Sequence, residues 1–158
     1  MKKHLSLLIV AVLALGTLSL WAQDAKPDFS GTWNLDVSKS DFGPAPPSTS
    51  EKREVEHKDP KLKVKATVVG QQGERKTESN YTTDGKENTN PAGPMEVKST
   101  TKWDGKKLVT QSKREFQGQE IEIKDTWELS GDGKVLTNTR DIKGGFGEIS
   151  QKLILNKE

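Results

Sequence analysis

The sequence predicts an all-β fold, an antiparallel up-and-down β-barrel of about 8–10 strands. Turn signals such as Asp84-Gly85, Asp104-Gly105 and Gly144-Gly145 recur at short intervals from residue 58 onward. Between these turns apolar and polar residues alternate, which is typical of strands that bury one face. Consecutive short strands joined by tight turns form a meander, and a meander avoids exposed edges best when it closes on itself.

The amino terminus carries the pattern of a secretory signal. Two lysines precede the apolar run 5–20, and Ala22 offers a small residue for cleavage, so we predict a signal peptide over 1–22 and one domain over 23–158. An uncleaved membrane anchor is the competing interpretation, because the run approaches the length of a membrane span. The short run and the polar sequence after it favour cleavage. We therefore expect an exported protein of the bacterial periplasm or exterior, with no integral membrane domain after cleavage.

Composition excludes several classes of function. The chain has no cysteine, so disulfides, thiolate metal sites and lipid attachment through cysteine are excluded. Once Lys2 and Lys3 leave with the signal, basic and acidic residues are equal in number, and we expect no nucleic-acid partner. Hydrophobic residues make up only 30% of the sequence, which is little for a solid core. Together with the clear alternation, this indicates a barrel with a partly polar interior.

The strands follow one another along the chain. The first is predicted over 29–37, and the Pro-rich segment 38–50 is predicted to be a loop, because its run Gly43-Pro44-Ala45-Pro46-Pro47 suits neither a strand nor a stable helix. Nine further strands are predicted over 51–57, 61–69, 74–83, 86–90, 95–103, 106–116, 119–129, 134–142 and 148–156. The strand 134–142 has no decisive alternation, so its inward face stays undecided.

Alternation also identifies candidate binding residues on the inward faces. We predict that a ligand contacts Arg53, Arg75, Tyr81, Thr101, Arg114, Phe116, Asp125 and Trp127. Lysines dominate the outward faces, whereas three of the four arginines fall on inward ones. Guanidinium is less strongly hydrated than ammonium and forms forked hydrogen bonds, so it suits an interior. These arginines either clamp an anionic ligand or pair with internal acids such as Asp125 and with aromatic rings, and the sequence leaves both open.

The start of the first strand resembles a known superfamily. Residues Phe29-Ser30-Gly31-Thr32-Trp33 resemble the Phe-x-Gly-x-Trp opening of the calycins, the lipocalins and fatty-acid-binding proteins. Segments 103–109, 118–120 and 132–137 look like the late hairpins of the fatty-acid-binding branch. The resemblance covers most of the predicted domain and implies a lipocalin-like barrel.

The resemblance also implies roles for individual residues. Trp33 is expected to be a structural plug at one end of the barrel, crossed by a basic side chain of a late strand, for which Arg140 or Lys152 is the candidate. The chain departs from the fatty-acid-binding pattern in two places. The helical lid is replaced by the loop 38–50, and the Arg-x-Tyr carboxylate clamp of the last strand is absent. Arg114, with Tyr81 contributing a hydroxyl, is the expected substitute for that clamp.

The residues offer little catalytic machinery. His57 is the single histidine after cleavage, which excludes two-histidine metal centres and leaves at most one axial haem ligand. No Gly-x-Ser-x-Gly elbow is present, and almost every acidic residue falls on an outward face. We therefore predict no enzyme activity, no cofactor and no metal site.

Two functions remain as hypotheses. The first is an exported, non-catalytic protein that holds a small amphipathic or anionic, lipid-like molecule in the barrel lumen. The alternative is an exported structural or interaction module whose barrel is filled by its own side chains and which meets a protein or envelope partner. The volume of the lumen distinguishes them, since a continuous cavity of roughly 300 Å³ or more beside the loop 38–50 favours a ligand.

Overall fold

A computed structural model describes residues 25–116 and 118–158 of the chain. The predicted signal peptide, 1–22, lies outside the described residues. The strands are β1 Gly31–Leu35, β2 Ser50–Lys58, β3 Lys61–Gly70, β4 Gly73–Thr82, β5 Asp84–Ala92, β6 Met95–Asp104, β7 Lys107–Phe116, β8 Gln119–Leu129, β9 Val135–Gly144 and β10 Gly147–Lys157. Among the described residues the one helical segment is a 3-10 turn, Val37–Lys39, in the loop between β1 and β2.

The ten strands form one antiparallel sheet that curls into a nearly closed barrel. Its strand order is β4-β3-β2-β1-β10-β9-β8-β7-β6-β5, so every hydrogen-bonded neighbour except β1 and β10 is also consecutive in the chain. The predicted all-β meander is therefore confirmed, including its ten strands. Within the described ranges, no helix is both long and apolar enough to cross a lipid bilayer.

The structure decides the inward face of β9, which the sequence left open. Leu136 and Asn138 are fully buried, so the even-numbered residues of β9 face the interior. Asn138 pairs in register with Trp127 on β8, and Arg140 pairs with Asp125. This register sets the oppositely charged Asp125 and Arg140 side by side on neighbouring strands, midway along the barrel.

One end of the barrel is closed by aromatic packing around Trp33. Trp33 and Phe29 are fully buried, and the Trp33 Nε1 donates to the Phe29 carbonyl oxygen at 2.9 Å. The cation over the Trp33 ring is Lys157, with Nζ 5.1 Å from the ring centroid. The expectation that Arg140 or Lys152 crosses Trp33 is wrong. Lys157 pairs directly with Trp33 in the β1–β10 register, whereas Arg140 faces the interior midway along β9.

The barrel is completed between β4 and β5 by side chains, since no strand pairing joins these two strands. The buried Asn90 side chain accepts from the Asn80 amide at 2.6 Å and donates to the Asn80 carbonyl at 2.9 Å. Asn88 accepts from the Thr82 amide at 2.7 Å. Two asparagine side chains on β5 thus take the place of backbone partners between these two strands.

Candidate functional site: the barrel lumen

A cavity of about 230 Å³ lies inside the barrel. Its lining comes from β2, β3, β4, β7, β8, β9 and β10, together with Phe42, Pro46 and Ser48 of the loop between β1 and β2. That loop and the β3–β4 turn share one end of the barrel, since the Thr49 amide donates to the Val69 carbonyl at 2.8 Å. The lumen is therefore bordered by the loop at one end and by the aromatic plug at the other.

One wall of the lumen is apolar. It is formed by the inward face of β3, where Leu62, Val64, Ala66 and Val68 follow one another at every second position. Leu108 of β7 and Leu153 of β10 add to this surface. The strict alternation of β3, with lysines on the outer face, produces this wall because side chains two apart share one face.

The neighbouring wall, from β4, is polar. Register places Arg75 beside Val68 and Tyr81 beside Leu62, at opposite ends of the two strands. Between them, Thr77 and Ser79 also line the cavity. An apolar strand and a hydroxyl-bearing strand thus run side by side along the lumen, which is the pattern that an amphipathic molecule needs.

A network of charged side chains runs across the lumen from β2, the other neighbour of β3, to β8 and β9. Arg53 donates through Nε to Glu51 and through Nη1 to the Asn138 Oδ1 at 2.9 Å. Asn138 in turn donates to the Asp125 Oδ1 at 3.0 Å. Arg140 binds the same carboxylate through Nε at 2.8 Å and Nη2 at 3.2 Å, which is the forked geometry of a strong charge-assisted pair. The Arg53 guanidinium also lies 5.3 Å from the centroid of the Trp127 ring.

Electrostatics keep this network charged. Burial by itself raises the pKa of Asp125, but the charge of Arg140, with hydrogen bonds from Arg140 and Asn138 and the charge of Arg53, lowers that pKa below its usual value. The Asp125 carboxylate raises the pKa of Arg140 above its usual value in spite of burial. The two groups therefore remain an ion pair at neutral pH.

The lumen lining carries one excess positive charge. It contains three arginines, Arg53, Arg75 and Arg140, and two carboxylates, Glu51 and Asp125. Arg53 and Arg140 are each paired with a carboxylate. Arg75 is exposed, and no side-chain hydrogen bond or ion pair between described residues involves it. The uncompensated charge is therefore the Arg75 guanidinium, near the β3–β4 turn.

Five of the eight predicted binding residues line the cavity: Arg53, Arg75, Tyr81, Asp125 and Trp127. Thr101 does not line the cavity; it is fully buried, and its hydroxyl shares a hydrogen bond of 2.8 Å with that of Thr110, which does line it. The side chain of Phe116 lies outside the described part of the chain. Arg140, expected at the plug, belongs to the lumen instead.

Arg114 does not line the cavity, contrary to its predicted role as the clamp. It is exposed and borders a separate groove of about 990 Å³ together with Lys113 and Glu115. Its inward phase is that of Thr110, which does line the cavity, but it lies four residues closer to the end of β7, or about 13 Å along the strand. Alternation predicts which face of the sheet a residue lies on but not how far along the barrel it lies. The position of Arg114 near the end of β7 is what excludes it from the cavity lining.

The prediction missed several cavity residues, among them Glu51, Asn138 and Gln151. Glu51 lies two positions before Arg53 on the same face, so the i, i+2 spacing was a usable signal for their pairing. Asn138 was hidden by the undecided phase of β9. Gln151 donates from Nε2 to the Phe42 carbonyl at 3.0 Å and ties β10 to the loop, a contact across the chain that no local pattern indicates.

His57 lies at the closed end and outside the lumen lining. Its Nδ1 accepts from the Phe29 amide at 3.3 Å, and its buried Nε2 has no hydrogen-bond partner among the described residues. Asp59 lies 3.7 Å from that Nε2 and accepts from Trp103 Nε1 at 2.9 Å. In the described ranges no group of three or more histidine, aspartate or glutamate side chains is placed to hold a metal ion.

Comparison with solved structures shows the fold. The chain is similar to secretory abundant heat soluble protein 4 from Ramazzottius varieornatus, with a TM-score of 0.59 and 18% identity over 85% of this chain and 96% of that one. It is equally similar to the zebrafish ileal bile acid-binding protein complexed with cholic acid, with a TM-score of 0.59 and 16% identity over 82% and 98% of the two chains. The fluorescent protein UnaG has a TM-score of 0.53 and 19% identity, over 79% of this chain and 95% of its own. At these identities the likeness shows the fold alone, which is the calycin-like barrel fold that the opening motif predicted. No protein-family model and no curated protein matches the sequence.

Proposed function

We propose that this protein is exported and holds one small amphipathic or anionic molecule in its barrel lumen without catalysing a reaction. The observation that carries the proposal is the division of the lumen into an apolar wall on β3 and a polar wall on β4, beside the uncompensated charge of Arg75. Apolar pockets with a few placed polar groups are typical binding sites for small molecules. The apolar pattern of the first 22 residues supports export.

The similar structures support a binding function in the same fold. One of them, the bile acid-binding protein, was solved with cholic acid bound. Sharing a fold does not transfer a ligand, so the choice of ligand depends on the lumen of this chain.

The alternative, a self-filled structural or interaction module, is favoured by a specific observation. The cavity of about 230 Å³ is smaller than the roughly 300 Å³ at which pockets for drug-sized molecules begin. The network from Glu51 to Arg140 lines this cavity, and each of its two carboxylates is paired with an arginine. In that case the lumen holds water and the outer surface meets the partner.

Blocking the lumen tests the proposal. Ala66→Phe places a ring into the cavity from the middle of β3, whereas Lys65→Phe, one residue earlier, adds the same ring to the exposed outer face. Protein purified after expression of the full chain is titrated with a dansyl-labelled fatty acid and extracted with solvent for mass spectrometry. We expect saturable binding in the wild type and in Lys65→Phe, and its loss in Ala66→Phe. No saturable binding in the wild type, or equal binding in both variants, contradicts a lumen ligand.

Export has its own measurement. Expression of the full chain in a Gram-negative host, followed by osmotic shock, is expected to release a protein shortened by the mass of residues 1–22. Retention of the full-length mass in the cytoplasmic or membrane fraction contradicts export and cleavage.

A further inference from the structure

On the premise that the lumen binds a ligand, we propose that the ligand is a monoanion whose apolar part has about eight non-hydrogen atoms, bound with its charged group outward at Arg75. Its apolar part then runs inward between β3 and β4. The shared chemistry is that of a short fatty carboxylate, and three properties of the lumen lead to it: its charge, its polarity and its volume.

Charge fixes the valence and the position of the anionic group. Arg53 and Arg140 are already neutralised by Glu51 and Asp125, and a ligand that displaced either carboxylate would leave it buried without a partner. Arg75 has no such partner among the residues that the structure describes. A single negative charge at Arg75 brings the lumen lining to neutrality, whereas a dianion would leave an excess negative charge inside.

Polarity fixes the direction of the ligand. From Arg75 inward, the apolar side chains of β3 lie beside the hydroxyl-bearing side chains of β4. The innermost pair in this register is Leu62 and Tyr81. At the deep end the face of Trp127 is covered by Arg53, which is itself bonded to Asn138. The inner end of the lumen therefore offers apolar surface, neutral hydroxyls and a guanidinium that is already paired with Glu51, and the unpaired guanidinium of Arg75 lies at the end near the β3–β4 turn.

Volume fixes the size of the ligand. At about 30 Å³ for each water-sized group, a cavity of about 230 Å³ holds about eight such groups. A sixteen-carbon chain would need side chains of the internal network to move. An ordinary apolar lumen binds the longer chain more tightly, because each added methylene contributes about 0.8 kcal/mol. A preference for the short chain is therefore a distinctive expectation.

Calorimetric titration of the purified full-chain product tests charge and size together. The probes are octanoate, 1-octanol, octylamine and hexadecanoate. We expect octanoate to bind at least tenfold more tightly than octanol and octylamine, and hexadecanoate to bind no more tightly than octanoate. Equal affinity for octanoate and octanol, or a tenfold advantage for hexadecanoate, overturns the inference while leaving a lumen ligand in place. If none of the four probes binds and the dansyl-labelled fatty acid does not bind either, the proposed function fails as well.

Arginine variants test the position of the anionic group. Arg75→Gln is expected to weaken octanoate about tenfold and leave octanol unchanged, and Arg75→Lys is expected to restore most of the affinity, as a charge-assisted contact predicts. Arg114→Gln is the matched control, because Arg114 is exposed but outside the lumen lining, and it should change neither affinity. An unchanged octanoate affinity in Arg75→Gln, or an equal loss in Arg114→Gln, overturns the assignment.

Orientation has an independent readout. With octanoate labelled with carbon-13 at the carboxyl, an outward head group near solvent is expected to titrate in the bound state between pH 6 and about pH 3. A head group buried against Arg53 or Arg140 would be held ionised and would show no such titration. The absence of titration in the wild type therefore overturns the outward orientation.

Discussion

Asp125→Asn tests whether the internal network holds the barrel together. The substitution removes the negative charge but keeps the shape, so Arg140 retains its position and loses its counter-charge. Breaking a fully buried ion pair costs about 3–5 kcal/mol of the free energy of unfolding. The Arg140 and Asp125 side chains are 38% and 18% exposed, respectively, so solvent in the lumen screens part of this interaction. We therefore expect a loss of about 2–3 kcal/mol.

The assay is urea unfolding followed by tryptophan fluorescence, with linear extrapolation to water. Glu122→Gln is the exposed control, because it removes the ion pair of Glu122 with Lys113 on the outer surface, at 2.6 Å, where the two side chains are 53% and 61% exposed. An exposed pair contributes at most about 1 kcal/mol. If Asp125→Asn costs no more than Glu122→Gln, the network is not a stabilising element and the argument from burial is wrong.

The pH dependence gives the same prediction a second test. The folded pKa of Asp125 is lower than its usual value, so its stabilising effect is present above the unfolded pKa and is lost as pH falls through the folded pKa. The difference in stability between wild type and Asp125→Asn is therefore expected to be full at pH 7 and to shrink progressively below about pH 4. A difference that stays constant down to pH 3 contradicts the ion pair.

Three further predictions concern the closed end of the barrel and the side-chain contacts between β4 and β5. Asn90→Ala is expected to destabilise the fold by about 1–2 kcal/mol and to speed hydrogen exchange of the β4 amide that its side chain binds, measured by mass spectrometry; unchanged exchange would contradict the side-chain bridge. Lys157→Met should cost about 0.5–1 kcal/mol in urea unfolding through the lost contact with the Trp33 ring, and a neutral result would remove that contact as a contributor. Thr83→Val should raise the pKa of Asp59, since the Thr83 hydroxyl is the main group lowering it; a carbon-13 titration that leaves the pKa in place refutes this.

The sequence predicts most of the architecture because the architecture is local. Turn residues and alternation depend on neighbours in the chain, so ten strands and the inward face of β3 follow from them directly. The inward placement of Arg53 also follows from alternation. The sequence limits Arg53 to two roles, contact with an anionic ligand or pairing with an internal acid, without deciding between them. The structure supplies the internal partner, Glu51, and the aromatic face of Trp127.

Depth and register could not be predicted in the same way. Arg114 and Thr110 share a phase, yet only Thr110 reaches the cavity, because the end of β7 extends beyond the lumen. Arg140 was assigned to the plug, although the β8–β9 register sets it against Asp125. Pairing between distant strands fixes these positions, and alternation within one strand carries no information about it.

The internal network and the choice of ligand are linked by one physical constraint. A barrel with so few apolar residues fills part of its interior with charge, and buried charges persist only in compensated pairs. Compensation removes Arg53 and Arg140 from the set of groups that can recognise an anion, and it reduces the free volume to about 230 Å³. Arg75 escapes this constraint because it lies at the exposed end of β4, where water solvates an unpaired guanidinium. Recognition of charge is therefore confined to the open end of the lumen, and the deep end can select a ligand only by size and hydrogen bonding.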